Sequence, residues 1–221
     1  MLRASRVAPA APHHAPLAWR AAPLLLAALL PLAGQAEEPG KVGSPVDRSV
    51  MLQISLGGGG EWVAGDEATS VAAGFDLLFH RGGLVLGPFV FGGGGKAHDS
   101  LWYGATAGWA VDPGPSTRLE LLAEGGVHSL GLESEYAGEP TVRTSLPFLG
   151  VRAAAYVLAE TYRSPLVAWA RRAGIGLQVL ARTDLRTSSL TRAVPPGIEP
   201  PAPVKVGGQA LAIAFSTVLE W

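Results

Sequence analysis

The chain has 221 residues, a formal net charge of −1 and no cysteine. The lack of cysteine excludes disulfides, thiolate metal sites, cysteine nucleophiles and a lipid-modified N-terminal cysteine. The near-neutral charge offers no electrostatic footprint for nucleic acid. Glycine contributes 29 residues, well above its usual share of about 7%, while charged residues, at 16%, fall below the usual ~25%. This composition suits a barrel in which small inward residues let the walls approach each other.

Residues 1–36 have the pattern of a signal peptide. A start containing Arg3, Arg6 and Arg20 precedes an apolar run at 21–33, and Gly34-Gln35-Ala36 forms a small-residue cleavage site. The apolar run is shorter than the ~20 residues that a membrane-spanning helix needs. The alternatives are a disordered Ala/Pro-rich segment and an uncleaved interfacial anchor. Loss of the three arginines, with no acid beside them, would take the formal charge from −1 to −4.

After a polar periplasmic leader at 37–48, one domain is expected at 49–221. It contains eight runs in which large apolar side chains alternate with small or polar ones, the period of a β-strand. The runs are Val50–Leu56, Val71–His80, Leu84–Phe91, Leu101–Val111, Thr117–Ser129, Phe148–Leu158, Ala173–Thr183 and Gly207–Trp221. Pro88 fits poorly inside the third run, because proline donates no ladder hydrogen bond. No later segment reaches ~18 consecutive apolar residues, so a helical membrane protein is not expected.

The connections alternate in length. A tight hairpin is predicted at Arg81-Gly82-Gly83 and a turn at 112–116, whereas loops are predicted at 61–69, 92–100, 130–147 and 184–206. The connection after the sixth run does not fit this alternation of short and long connections, since 164–172 is compatible with a short helix or with an early strand. Short turns that alternate with long loops are typical of an up-and-down barrel with an even strand number.

The last run ends on an aromatic residue, Trp221, with Leu211, Ile213, Phe215, Thr217 and Leu219 at alternate positions before it. This segment resembles the closing strand of the small outer-membrane β-barrels of Gram-negative bacteria. The resemblance implies an eight-stranded antiparallel transmembrane barrel in the outer membrane. It also implies a lipid bilayer and the barrel-assembly machinery as partners, the latter through the strand ending at Trp221, and a monomer that binds no nucleic acid.

The polar face of the runs contains three acids and three bases: Asp76, Glu120, Glu124, Arg118, Arg152 and Arg182. A narrow interior needs such a balance, because each buried charge requires a partner. We therefore predict an interior ion-pair network; the alternative is that some of these residues line a soluble surface. Aromatic residues of the apolar face (Phe75, Phe79, Trp109 and Trp221) are expected to form an interfacial girdle.

No motif points clearly to catalysis. The glycine run before Lys96 lacks the first glycine and the Ser or Thr of a phosphate-binding loop. A family of lipid A deacylase barrels carries a His-x-Ser pair, but His128 and Ser129 are adjacent and so lie on opposite strand faces. The remaining histidines are scattered, so no metal site is expected, and the segment 184–192 is an exposed loop or, as an alternative, a site for lipopolysaccharide phosphates.

We therefore expect a barrel that is not an enzyme, with no catalytic, cofactor-binding or metal site. Its expected role is structural in the envelope or interactive at the surface, through the loops at 130–147 and 184–206. One alternative is a narrow channel or a conduit for small or hydrophobic solutes. Another is a soluble periplasmic β-sandwich or a lipocalin-like carrier.

Overall fold

A computed structural model describes residues 48–63, 66–95, 98–136, 138–161 and 170–221. The predicted signal peptide at 1–36 and all of the predicted leader except Arg48 lie outside these residues. So does most of 164–172, the segment for which helix and strand were both open. No helix in the described residues is long and apolar enough to cross a membrane.

Eight long strands form one closed antiparallel barrel, as predicted. They are β1 (Ser49–Val63), β2 (Asp66–Arg81), β3 (Leu84–Gly94), β4 (His98–Gly114), β5 (Thr117–Leu132), β6 (Val142–Glu160), β7 (Arg172–Asp184) and, after two short strands, β10 (Gln209–Glu220). Around the barrel the order is β1-β10-β7-β6-β5-β4-β3-β2, so the first and last strands pair and no edge is left open. This single closed sheet contradicts the β-sandwich alternative, which requires two sheets.

The two ends of the barrel differ in their connections. One end, the turn end, holds the tight turns at 82–83 and 115–116. β1 begins and β10 ends at this end of the barrel. Gly82 and Gly83 have φ of 56° and 84°, the left-handed conformation that a two-residue hairpin turn requires. The opposite end, the loop end, holds the connections at 133–141 and 185–208.

The predicted loops at 61–69 and 92–100 are wrong in length, because both segments are mostly strand. β1 continues to Val63 and β3 to Gly94, which leaves connections of only 64–65 and 95–97. At Gly57, Gly59 and Gly93, glycine allows close approach of the paired strand rather than a turn. A Cβ built on Gly57 would lie 2.6 Å from Cβ of Ala214 on the paired strand.

The predicted loops at 130–147 and 184–206 also contain strand. β5 and β6 extend into the first one until only 133–141 remains. The second one folds into a small hairpin of β8 (Ser188–Leu190) and β9 (Val204–Val206). Period-two alternation was hidden here by Pro and charged residues, so the sequence did not predict these elements.

The face assignments are confirmed on the barrel strands. In β10, for example, Ile213 and Phe215 are exposed, while Ala214 and Ser216 are buried. Pro88 points outward and pairs with Ala105 of β4, so its missing N–H does not prevent it from lying in the sheet. Gly74 lies directly opposite Phe91, and a Cβ there would lie 2.2 Å from the Phe91 ring. Inward glycine therefore makes room for a neighbouring ring.

Candidate functional site

The outer face of the barrel is apolar. Every barrel strand contributes an exposed large apolar side chain, among them Leu56, Val71, Leu86, Trp109, Leu121, Val151, Ile175 and Phe215. A lipocalin-like carrier has the opposite polarity, with polar groups in water and an apolar interior for its ligand. The soluble carrier alternative is thus contradicted, and the surface matches the acyl chains of a bilayer.

The four predicted girdle aromatics are all exposed on this outer face. Phe79, Trp109 and Trp221 lie towards the turn end, where a membrane interface would be, whereas Phe75 lies four residues before Phe79 on β2, farther from that end. The aromatic band at the turn end is therefore built mainly by the first three.

Charged pairs fill the interior near the turn end. Arg118 reaches Asp112 at 2.8 Å and Glu220 at 3.2 Å, and Arg172 reaches the other oxygen of Glu220 at 2.7 Å. Next to them, the imidazole of His80 lies 2.9 Å from Glu120. Each carboxylate here has a basic partner, as buried charges require.

The middle of the interior is spanned by Arg152. Its Nη1 lies 2.8 Å from Asp76, and its Nε lies 3.1 Å from Glu124. Arg152 is on β6 and Asp76 is on β2, which stand four strands apart in a ring of eight, so the pair crosses the full width of the barrel. The Arg152 side chain is only 1% exposed.

Amides and hydroxyls occupy the wall beside this pair. Gln178 donates to Oγ of Ser216 at 2.7 Å and also to Oγ of Ser55, and the Tyr156 hydroxyl donates to Gln53 at 2.7 Å. These bonds link β1, β6, β7 and β10. The space that the ion pairs leave is therefore filled by bonded side chains.

Above the middle lies Arg182 in an aromatic enclosure. Its Nε donates to Glu124 at 2.7 Å. Its guanidinium carbon lies 4.8 to 5.8 Å from the ring centroids of four aromatics, Phe89, Phe91, Trp102 and Phe148. Cation–π attraction is strongest where water is excluded, so this arrangement holds the guanidinium in place.

A serine, a histidine and an aspartate meet near the loop end. Oγ of Ser100 on β4 lies 3.1 Å from Nε2 of His128 on β5. Nδ1 of the same imidazole lies 3.0 Å from Oδ1 and 3.1 Å from Oδ2 of Asp184, the last residue of β7. The side chains of His128 and Asp184 are each 1% exposed.

Further contacts fix this group. The His128 ring stacks on Trp102, with centroids 3.6 Å apart and planes 9° apart. Asp184 accepts a hydrogen bond from the backbone N–H of Gly208 at 2.9 Å, and its own N–H donates to the Gly208 carbonyl at 2.8 Å. The imidazole and the carboxylate are thus both held in one orientation.

Ser100 and Arg182 line the same cavity, which has a volume of about 30 Å³. Its other walls are mainly apolar or small, including Phe91, Trp102, Leu180 and Ala212. The volume exceeds the ~10–15 Å³ that one water needs, so a group of a few heavy atoms fits.

An apolar cluster, here called the cap, packs above this region. It consists of Leu130 and Leu132 of β5, Leu190 of β8, and Val204 and Val206 of β9. Leu130 and Val206 are fully buried in it. The cap explains why the β8–β9 hairpin folds back onto the barrel.

The six charged residues predicted to point inward are all buried, and the predicted network is confirmed. Sequence reasoning did not bring Ser100, His128 and Asp184 together. The alternation of the strands could have placed them on the inner face. Ser100 lies on the same strand face as Trp102, and Asp184 lies on the same strand face as Arg182. Ser100 and Asp184 were assigned to predicted loops, so their parity was not followed.

The structure also describes the His128-Ser129 pair and the segment 184–192. His128 points inward and is buried, while its neighbour Ser129 lies on the other face, as predicted. In the segment 184–192, Arg186 donates to the Ser145 carbonyl and Arg192 pairs with Glu135 at 2.5 Å. Among the described residues, no group of three or more His, Cys, Asp and Glu side chains has the arrangement of a metal site.

No protein-family model and no curated protein sequence matches the chain. Solved structures do match. Neisserial surface protein A aligns with 80% of this chain and 99% of its own, at a TM-score of 0.54 and 8% identity. The outer membrane protein AlkL aligns over 84% of this chain and 95% of its own, at a TM-score of 0.41 and 14% identity. The translocator domain of the autotransporter NalP from Neisseria meningitidis aligns over 92% and 97%, at 0.29 and 11%.

At these identities the likeness concerns the fold, and the apolar outer face supplies the independent evidence for a bilayer. The chain has the fold of the small eight-stranded outer-membrane β-barrels of Gram-negative bacteria.

Proposed function

We propose that this chain is a sealed outer-membrane barrel that acts at the cell surface through its loop end, and not as a channel. The observation that carries the proposal is the Arg152–Asp76 pair, which crosses the barrel from wall to wall. An eight-stranded barrel is only just wide enough for its side chains. Here those side chains are bonded to one another.

The loop end supplies a surface for contact with other molecules. In outer-membrane barrels the short turns face the periplasm and the longer connections face outward. The longer connections of this chain expose three large apolar side chains, Tyr136, Leu185 and Ile198. Exposed apolar side chains on a folded loop are typical anchors for a partner.

Conductance separates the sealed barrel from the channel alternative. The purified full chain in a planar bilayer should show no steady ion current, because the interior pairs leave no continuous water path. Stable current steps that change when Arg152 or Glu124 is neutralised would support the narrow channel instead. A bilayer that remains silent for the wild type and for Glu124→Gln agrees with the sealed barrel.

Sidedness is testable because the chain contains no cysteine. A single Lys205→Cys variant carries the thiol on an exposed position of β9, at the loop end, and Ser116→Cys carries it in a turn at the turn end. On intact cells, a membrane-impermeant maleimide should label the first variant and not the second. Labelling in the reverse order would contradict a role of the loop end at the surface.

The closing strand has a further proposed role in assembly. β10 alternates large outward and small inward residues and pairs with β1 up to the Trp221–Val50 backbone bonds of 2.9 and 3.0 Å. We propose that the barrel-assembly machinery recognises this strand before the β1–β10 seam closes, and that the closed barrel is a monomer.

A further inference from the structure

We propose that Ser100, His128 and Asp184 form a serine-hydrolase triad at the loop end, which cleaves a carboxylic ester with a short acyl group. This inference goes beyond the sealed-barrel function and does not depend on it, because a triad above the interior ion pairs needs no path through the barrel. It also runs against the expectation from sequence that the chain is not an enzyme.

For a neutral imidazole, the hydrogen bonds of the triad permit one arrangement of protons. A carboxylate only accepts hydrogen bonds, so the proton of a neutral His128 lies on Nδ1 and is donated to Asp184. Nε2 then accepts the hydrogen bond of the Ser100 hydroxyl, with 3.1 Å between Nε2 and Oγ. This is the tautomer in which a histidine activates a serine nucleophile.

The surroundings keep the triad in that arrangement. The stacking of His128 on Trp102 restrains rotation of the imidazole, and the Gly208 N–H restrains the carboxylate of Asp184. Three barrel strands, rather than a mobile loop, supply the three side chains. Rigid placement of this kind is what a preorganised site requires.

Arg182 is positioned to stabilise negative charge beside Ser100. Both residues line the same cavity, and Nε of Arg182 is bonded to Glu124. Within the described part of the chain, its buried Nη2 has no hydrogen-bond partner. A buried donor with spare capacity at the wall of the cavity can serve an oxyanion as it develops.

The size and lining of the cavity limit the acyl group. About 30 Å³ admits a carbonyl with a methyl or similar small group, and the walls of Phe91, Trp102 and Leu180 are apolar. A long fatty acyl chain does not fit in this volume. The alcohol part of the ester would lie outside this volume.

The reaction follows from these positions. Oγ of Ser100 attacks the ester carbon while Nε2 of His128 takes its proton, and the charged carbonyl oxygen faces Arg182. The C–O bond to the alcohol then breaks, and His128 returns the proton to the leaving alcohol. Water then attacks the acyl carbon while His128 takes its proton, the bond from that carbon to Oγ of Ser100 breaks, and His128 returns the proton to Oγ. Ester and water thus give acid and alcohol.

Covalent labelling tests the assignment directly. The full-length chain, folded in detergent, is treated with a fluorophosphonate–biotin probe, and the labelled peptide is identified by mass spectrometry. We expect the label on Ser100 in the wild type, a measurement that requires no variant. Absence of label, or label on another serine alone, overturns the proposal.

Variants give the second measurement, with p-nitrophenyl acetate as the substrate. Ser100→Ala and His128→Gln should each lower kcat/KM by about 10³-fold or more, down to the background of the denatured chain. Ser129→Ala is the matched control, since it removes a neighbouring serine on the opposite face, and should keep the wild-type rate. Variants are compared only when gel migration shows that they fold. A folded Ser100→Ala chain with wild-type activity overturns the proposal.

Asp184 is a positioning residue, because it acts through His128. A polar network that only stabilises the fold would also contain such a residue. Asp184→Asn should therefore be read by its pH profile: we expect kcat to fall, with KM nearly unchanged, and the remaining rate to rise towards high pH as hydroxide replaces the base. An unchanged pH profile in the folded variant would overturn this role. Equal rates for p-nitrophenyl octanoate and acetate would overturn the short-acyl assignment.

Discussion

Arg152 illustrates how single residues hold the interior together. Replacing it with leucine leaves Asp76 and Glu124 buried without their shared basic partner. Removal of one member of a buried pair costs about 3–5 kcal/mol, because an uncompensated charge remains. We predict that Arg152→Leu lowers the free energy of unfolding by this amount, measured by urea titration of tryptophan fluorescence in lipid vesicles.

Arg143 is the matched control for that substitution. It also pairs with an aspartate, Asp99, but its side chain is 53% exposed. Exposed pairs contribute about 0–1 kcal/mol, so Arg143→Leu should change stability by no more than that. Equal effects of the two substitutions would contradict the view that the interior pairs, rather than charge in general, stabilise the barrel.

The alternation of side chains along a strand predicted which residues point inward, but it did not predict which of them contact one another. Within a recognised run, alternation assigns every side chain to a face, which is how Arg118, Arg152 and Arg182 were identified. The partners of a charge depend on register and on strands far apart in sequence. For example, Arg152 meets Asp76 across the barrel. Neither the contact between Arg152 and Asp76 nor the triad can be read from alternation alone.

At the scale of the element, the outer face of β6 offers a test of membrane depth. Val151 is the central residue of that strand, Val157 lies near its turn end, and both point outward. Arginine on the lipid face costs about 2–4 kcal/mol at the midplane and about 0–1 kcal/mol near an interface. We predict that Val151→Arg destabilises the folded barrel in vesicles far more than Val157→Arg. Equal costs would contradict a bilayer centred on the barrel.

The β8–β9 hairpin offers a test of the cap. Val206 is fully buried among Leu130 and Leu132, whereas Lys205, its neighbour on β9, is exposed. Val206→Ser should detach the hairpin and speed trypsin cleavage at Arg186 or Arg192, while the barrel remains folded. Lys205→Ser should leave cleavage at these arginines unchanged. Unaltered cleavage in Val206→Ser would show that the cap does not hold the hairpin.

Strand positions were predictable where the period was clear, and strand ends were not. All eight barrel strands were located, but Gly57–Gly60 and Gly92–Gly94 were assigned to strand ends and loops because glycine usually interrupts strands. Here the glycines continue the ladder, and at Gly57, Gly59 and Gly93 an alanine of the neighbouring strand occupies space that a Cβ would need. Such cross-strand packing depends on register, which a single sequence does not reveal.

In the whole molecule, closure of the barrel pairs the first strand of the domain with the last. β1 pairs with β10 over eleven positions, from Met51–Glu220 to Glu61–Ala210, and the inward residues of that seam are mostly small. A closed sheet leaves no unpaired backbone in the bilayer, which is the condition for a strand protein to span it. Such barrels resist detergent unless they are heated.

We propose that this chain is a closed barrel embedded in the outer membrane. The most direct measurement is electrophoretic migration of the chain from a washed outer-membrane fraction, with and without boiling in detergent. We predict that the chain stays with the membranes and that the unboiled form migrates differently from the boiled form. Recovery of the chain in the aqueous fraction, with identical migration before and after boiling, would contradict the account.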